Sequence, residues 1–253
     1  AILGTGLRSD VRGYFRTAID FINQQNRPVF AVDIASGLNA DNGNVCGTCI
    51  RASATATFGF AKVGHLSYPG RAFTGRLKVV EIGIPPHVAA TVGCRQHLIT
   101  PGTLRQQLPR RSATAHKGHA GHLLVLAGAP GKTGAAVMTA ASAMRVGAGL
   151  VTLGIPRSLN PVLETLVTEV MTVPLAESDQ GALDESAFET ISSLYDGKRC
   201  LAAGPGIGTA PQTGRLLARL IQSSPVPLVI DADGLNLIAA DPDMLSKRQS
   251  PVV

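Results

Sequence analysis

The chain has 253 residues, 45% of them hydrophobic, with 28 glycines. That is enough length for two domains and enough apolar material for a sizeable core, which excludes a disordered or fibrous protein. The formal net charge of +6 is spread over scattered Arg and Lys with only 4% aromatic residues; this suits an anionic small molecule better than a nucleic acid, which would want a clustered basic face and stacking platforms. Apolar runs such as 123–129 stop well short of the roughly 20 residues a membrane span needs, so neither nucleic acid nor membrane is an expected partner.

In chain order, Ala1-Ile2-Leu3 reads as the inside of a strand, without the basic segment or cleavage site of a signal peptide. It runs into Gly4-Thr5-Gly6-Leu7-Arg8. Glycines there let backbone N–H groups approach a phosphate and Arg8 can add a charged donor, although a plain tight turn has the same spacing. A strand over 31–33 ends in Asp33, followed at once by the small-residue turn Ile34-Ala35-Ser36-Gly37-Leu38. A carboxylate at the C-terminal end of a parallel strand projects into the crevice where open α/β sheets bind ligands, while many such aspartates only cap the next turn. The same arrangement recurs at Val229-Ile230-Asp231-Ala232-Asp233-Gly234-Leu235-Asn236, so two active centres are expected.

Cys46-Gly47-Thr48-Cys49 has the spacing of a redox or half-zinc motif, but it lies among glycine and threonine residues that suggest strand or hairpin, and Cys94 and Cys200 are isolated. It is expected to be structural. Four unpaired cysteines and no secretory segment suggest a reducing compartment, hence the cytoplasm. A strand over 77–84 closes the first block, and a polar, Pro-containing connector (Pro101, then Leu108-Pro109-Arg110-Arg111) follows.

The second block opens with a strand over 122–126. A helix over 134–146 stopped by Gly147 follows, then a strand over 150–155. Further on come a strand over 200–203, the glycine turn Gly204-Pro205-Gly206-Ile207-Gly208, a helix over 211–221, and a strand over 227–230. Pro251-Val252-Val253 reads as the start of another strand. This alternation implies parallel sheets with crossover helices. Gly128 to Thr133 imitates a phosphate-binding P-loop, but Leu126 stands where the motif requires glycine, so Lys132 is expected beside a ligand crevice rather than on a triphosphate. His116, His119 and His122 have no nearby carboxylate or thiol to complete a metal site.

Taken together, these residues resemble the bifunctional NAD(P)H-hydrate repair enzymes. The epimerase resemblance rests on Gly4 to Leu7, Asp33-Ile34-x-Ser36-Gly37-Leu38, Thr55-Ala56-Thr57-Phe58-Gly59 with Lys62, and Ile82-Gly83-Ile84-Pro85. The dehydratase resemblance rests on His116-Lys117-Gly118, Gly134-Ala135-Ala136, Arg145-x-Gly147-x-Gly149-Leu150, Gly204-Pro205-Gly206 and Asp231 to Asn236. It implies an α/β fold with a Rossmann-like epimerase domain over 1–90, a linker over 91–113, and a ribokinase-like dehydratase domain over 114–253, both domains incomplete.

The activity implied is metabolite repair: epimerisation of NAD(P)H-hydrates, and dehydration of one epimer driven by ADP or ATP with magnesium. Carried over by motif, Gly4, Thr5, Gly6, Leu7, Arg8, Ser9 and Asp10 hold the substrate's phosphate region, Asp33 lies at the nicotinamide as a proton-transfer residue, and Ser36 helps bind potassium. Ala135 and Gly206 bind the hydrate, with Asp231, Asp233 and Asn236 shaping the same cleft. A homo-oligomer is expected. The chain departs from the family at Ala35, where proline is usual, and the family's potassium-ligating aspartate and catalytic aspartate would lie before Ala1 and after Val253, so the chain reads as a fragment. Two other readings stay open: a small-molecule kinase of the ribokinase superfamily, which leaves 1–86 unexplained, and a non-catalytic nucleotide-binding protein.

Overall fold

The computed structural model describes residues 2–108 and 110–253. Ala1 of the expected first strand and Pro109 of the expected connector lie outside the described residues. The chain divides into two compact units, 1–104 and 105–253, a boundary that falls inside the segment read as linker.

The first unit contains α1 (Gly13–Gln24), β1 (Phe30–Val32), β2 (Ala54–Phe58), α2 (Val63–Leu66), α3 (Arg71–Thr74), β3 (Arg76–Val80) and α4 (Pro86–Thr91); α5 (Pro101–Gln107) spans the boundary. The three strands form one parallel sheet in the order β1-β2-β3. Its core gathers Ile19 of α1, Ala31 of β1, and Ile34, Leu38 and Ile50 of the following loops. Polar residues also pack inside it: Thr55 and Thr57 of β2 are fully buried, and Thr55 spends its hydroxyl on the Thr74 carbonyl at 2.7 Å.

Two strand expectations are corrected here. Ile2 and Leu3 form no strand, because their amides are taken by the Ser36 hydroxyl, both at 3.0 Å. The strand expected over 77–84 ends at Val80. Its partner β2 ends at Phe58, the Gly59 amide closes the ladder on the Val80 carbonyl, and Gly83 turns away at φ +82°.

The second unit contains β4 (His122–Leu126), α6 (Thr133–Val146), β5 (Leu150–Pro156), α7 (Asn160–Leu166), β6 (Met171–Leu175), α8 (Phe188–Ser193), β7 (Cys200–Ala203), α9 (Pro211–Ser223), β8 (Leu228–Ile230) and α10 (Asp233–Ala240). Its five strands are all parallel, in the order β6-β5-β4-β7-β8. Successive side chains of a strand point to opposite faces, and β4 shows the consequence. Leu124 and Leu126 pack with Ile191, Leu216, Leu217 and Leu220, while Val125 packs on the other side with Ala136, Ala140 and Leu163. Helices therefore cover both faces, which is why the strand reads as an unbroken apolar run.

Pro251, Val252 and Val253 add a short parallel stretch to the free side of β8: the Leu228 and Ile230 amides donate to the Pro251 and Val253 carbonyls, at 2.9 and 2.8 Å.

Candidate functional sites at two strand ends

In the second unit the chain runs outward from β4 through β5 to β6, then returns to place β7 and β8 on the other side of β4. The strand order reverses between β4 and β7, and open α/β sheets bind ligands at the carboxyl ends of the strands flanking such a point. The two loops that leave β4 and β7 meet there. The Gly128 amide donates to the Pro205 carbonyl at 2.9 Å, and a side chain at Gly206 would press on Ala135 and Lys132. Gly204, at φ +126°, leaves no room for a β-carbon against the Asp231 backbone. Only glycine fits that turn.

Asp233, the first residue of α10, accepts from Lys132 Nζ at 2.7 Å and from the Gly208 amide at 2.9 Å. Three expected site residues, Ala135, Gly206 and Asp233, are thus brought together by Lys132. Asn236, on the same helix, adds the smallest of the influences that lower the Asp233 carboxyl, and Asp231 is the residue that follows β8. The hydrogen bond from Lys132, opposed by burial and reinforced by the Gly208 amide, holds the Asp233 carboxyl below its ordinary range.

In the first unit Asp33 follows β1 directly and adopts φ +67°, a left-handed conformation uncommon outside glycine. Three donors converge on its Oδ1: Lys62 Nζ at 2.6 Å, Thr57 Oγ1 at 3.1 Å and the Phe58 amide at 3.1 Å. Burial pushes the carboxyl up, but the hydrogen bond from Lys62, the Phe58 amide and the lysine charge outweigh it, and Asp33 is held below the ordinary carboxylate value. Lys62 also donates to Thr57 Oγ1 at 2.7 Å and to the Phe58 carbonyl at 3.1 Å.

His65, fully buried, accepts the Lys62 backbone amide on Nδ1 at 3.2 Å, and its Nε2 has no hydrogen-bond partner. Burial, then the Lys62 charge, keeps the ring neutral more readily than a free histidine, with Asp33 opposing.

The loop from Gly4 to Asp10 is anchored at Leu7 and at both flanks but leaves its glycines open. Leu3 is tied to Ser36, the Leu7 carbonyl accepts from Asn39 at 3.1 Å, and Val11 donates to the Cys46 carbonyl at 3.0 Å. Nothing approaches the positions where Gly4 and Gly6 would carry side chains. Ser36 is a different matter. Its buried hydroxyl accepts from the Ile2 and Leu3 amides and donates to the Leu3 carbonyl at 3.2 Å, so both lone pairs and the proton are in use. That hydroxyl does not fit a potassium ligand, and among the described residues no group of three His, Cys, Asp or Glu could hold a metal ion.

The remaining motifs lie elsewhere. Cys46 and Cys49 are buried free thiols, and burial together with the neighbouring Cys46 pushes Cys49 up to about 12, far from the thiolate a redox centre needs. Their loop braces the Asp33 turn: Gly37 packs against the Thr48 carbonyl and the Cys49 backbone, at φ +99°. His116, Lys117, Arg145, Gly147 and Gly149 line a cavity of about 560 Å³ beside the residues that precede β4 and β5, at the amino ends of those strands and so at the end of the sheet away from the switch point. His116 and His119 rings stack at 3.7 Å, and His122 bonds Thr152 Oγ1 at 2.8 Å.

The sequence placed Lys132 beside a ligand crevice without naming its partner, and Lys62 in a motif without assigning it to a site. The signal available was a lysine following each small-residue strand end; the partners, 29 and 101 residues away, were not legible.

A parallel sheet whose glycine loops converge at the switch point defines an α/β protein with a ligand crevice at the carboxyl ends of its strands. Residues 123–253, more than half of the chain, match the family described as NAD(P)H-hydrate dehydratase, and the chain belongs to that family. Residues 1–64 match the YjeF-related protein N-terminus.

Over 253 residues the chain is 41% identical to the bifunctional NAD(P)H-hydrate repair enzyme Nnr of Moorella thermoacetica, covering 100% of this chain and 48% of that protein. The same enzyme of Salinibacter ruber is 38% identical over 259 residues, with coverage of 100% and 48%. The chain thus spans about half the length of the curated relatives it matches. Among solved structures, the ADP/ATP-dependent NAD(P)H-hydrate dehydratase from Bacillus subtilis, co-crystallised with ATP/Mg²⁺, is 25% identical with a TM-score of 0.44, over 54% of this chain and 46% of that one. No helix among the described residues is long and apolar enough to cross a membrane.

Proposed function

We propose that this chain carries parts of two centres of an NAD(P)H-hydrate repair enzyme. The first unit serves epimerisation of the hydrates and the second serves their nucleotide-dependent dehydration to NAD(P)H. The observation that carries the proposal is the meeting of the β4 and β7 loops at the switch point, with Ala135, Gly206, Lys132 and Asp233 together, inside the stretch matched to the dehydratase family. A second strand-end aspartate, Asp33, in the unit matched to the other family supports a separate centre for epimerisation.

In this reading the loop 4–10 receives the phosphate region of the hydrate through its open backbone amides and Arg8. Asp33 faces the altered nicotinamide ring. In the second unit Ala135 and Gly206 allow close approach of the hydrate, and Asp231, Asp233 and Asn236 border it. Hydroxide is a poor leaving group; an adenine nucleotide, ADP or ATP with magnesium, supplies the phosphoryl group that converts the hydrate's hydroxyl into a better one. Ser36 takes part by fastening the loop 2–4, and no step is assigned to potassium. The protein acts as a homo-oligomer, and in the cytoplasm; the free cysteines support the compartment alone.

The test uses the full-length protein containing this chain and one purified NADPH-hydrate epimer, the one the dehydratase rejects, followed by chromatography before and after ADP with Mg²⁺. The other epimer is expected without nucleotide, and NADPH once ADP is added. Phosphorylation of a vitamin precursor with no effect on either hydrate would replace the proposal with a kinase.

A further inference from the structure

The first centre is built asymmetrically around one oxygen. Lys62, Thr57 and the Phe58 amide all donate to Asp33 Oδ1, while no hydrogen bond among the described residues reaches Oδ2. The carboxylate keeps about a quarter of its side chain exposed. Lys62 for its part is fully engaged: its ammonium has three protons, and Asp33, Thr57 and the Phe58 carbonyl take them. Its backbone is fastened as well, through the amide bond to His65 Nδ1, and His65 is wedged in the core at zero exposure. A lysine so occupied has no proton to spare for a ligand. A carboxylate gripped by one oxygen has the other to offer.

We propose that Lys62 is a positioning residue of the epimerase centre: with Thr57 and the Phe58 amide it clamps Oδ1 of Asp33, so that Asp33 stays anionic and presents Oδ2 to the ring of the hydrate. The proposal rests on the epimerase reading of the first unit. It replaces the expectation that Asp33 shuttles a proton, because a carboxylate stabilised by three donors is a poor base. A fixed anion suits a different step. Water added across the ring double bond next to nitrogen leaves a hydroxyl on the carbon bonded to that nitrogen. The C–O bond breaks with its electron pair on oxygen, which takes a proton from solvent and departs as water. The nitrogen lone pair forms the C=N bond, placing positive charge on the ring. Water then adds to the opposite face and returns a proton to solvent, giving the other epimer. Preorganised charge aimed at such a cation lowers the barrier without reorganisation. The titratable groups facing Asp33 are Lys62 and His65, and both lie on or beside α2.

The experiment measures epimerisation by the full-length protein across pH, with Lys62→Met and Lys62→Arg beside the wild type. Dehydration of the preferred epimer and thermal melting report folding. Lys62→Met is expected to lower the epimerisation kcat about 10²-fold and to add an acid limb that the wild type lacks, as Asp33 becomes protonated within the assay range. Lys62→Arg, which keeps the charge and the hydrogen bonds but does not release its proton, is expected to restore most of the rate and remove the limb. An inactive Lys62→Arg in a folded protein overturns the proposal and makes Lys62 the proton donor. Equal loss in Lys62→Met at every pH overturns it in favour of a purely structural bridge. If the wild type itself does not epimerise, the epimerase reading fails; if it does and Lys62→Met is unchanged, only the clamp fails.

Discussion

Asp33 and Asp233 each hold a lysine at almost the same distance, 2.6 and 2.7 Å, beside the carboxyl end of a parallel strand, and each carboxyl lies below its ordinary range. The surroundings differ. The Lys62 side chain is 22% exposed, whereas that of Lys132 is 48% exposed and has Asp233 as its acceptor. Asp33 is opposed most strongly by its own burial, while for Asp233 the lysine hydrogen bond is the leading influence. The first pair is partly buried, and its lysine is also hydrogen-bonded to Thr57 and the Phe58 carbonyl. The second is a movable side chain resting on a helix start, where the helix dipole and the Gly208 amide already favour the anion. An ion pair of the same length can thus be part of a scaffold in one place and a displaceable contact in the other.

The strongest way to separate the two is Asp33→Asn, which keeps size and removes the charge. It is expected to lower epimerisation by about 10²–10³-fold while leaving dehydration of the preferred epimer unchanged, read by epimer-resolved chromatography; equal loss of both activities would count against independent centres. Gly204→Ala probes the framework behind the second pair. At φ +126° and against the Asp231 backbone, the added methyl should cost about 1–3 kcal/mol, measured by urea unfolding.

A carbon-detected NMR titration then compares the carboxyls themselves. Removing Lys62 leaves burial as the main influence on Asp33, so Lys62→Met should raise its midpoint further than Lys132→Met raises that of Asp233. Because both folded values lie below the unfolded one of about 3.9, each pair adds stability above that pH, and the contribution is lost as pH falls through the folded value. The variants should therefore show a shallower loss of stability in acid. The smallest effect expected is on stability at neutral pH: Lys132→Met, breaking a half-exposed pair, should cost only about 0.2–1 kcal/mol in the same urea experiment.

Much of the second unit was legible because its signals are local. The strands at 122–126 and 200–203 have the expected bounds, and α6 starts one residue early and stops at Gly147 in a left-handed turn. Continuous apolar runs between glycines identify buried parallel strands well. The first unit hides its elements. α1 begins after Arg12 with no side-chain cap, and β2 fills its inward positions with Thr55 and Thr57 instead of aliphatic residues, so neither a start signal nor an apolar run marks them.

Of the sites, Asp33, Gly206 and Asp233 were visible as residues at strand ends and in turns, and Ala135 only through the family resemblance. What joins them was not. The lysine contacts span 29 and 101 residues, the switch point exists only once strand order is known, and the saturation of Ser36 depends on where Ile2 and Leu3 lie.

The borders of the five-stranded sheet, as far as the described residues go, expose little unpaired backbone. An exposed strand border offers a row of unpaired amides to any passing chain, and proteins with long bare borders tend to stick laterally. Here β6, on one side, carries Pro174, which has no amide to lend. On the other, the main chain of 251–253 already occupies the amides of Leu228 and Ile230. Among the described residues, two stretches of strand border are thus blunted by backbone chemistry, which disfavours lateral pairing at those stretches.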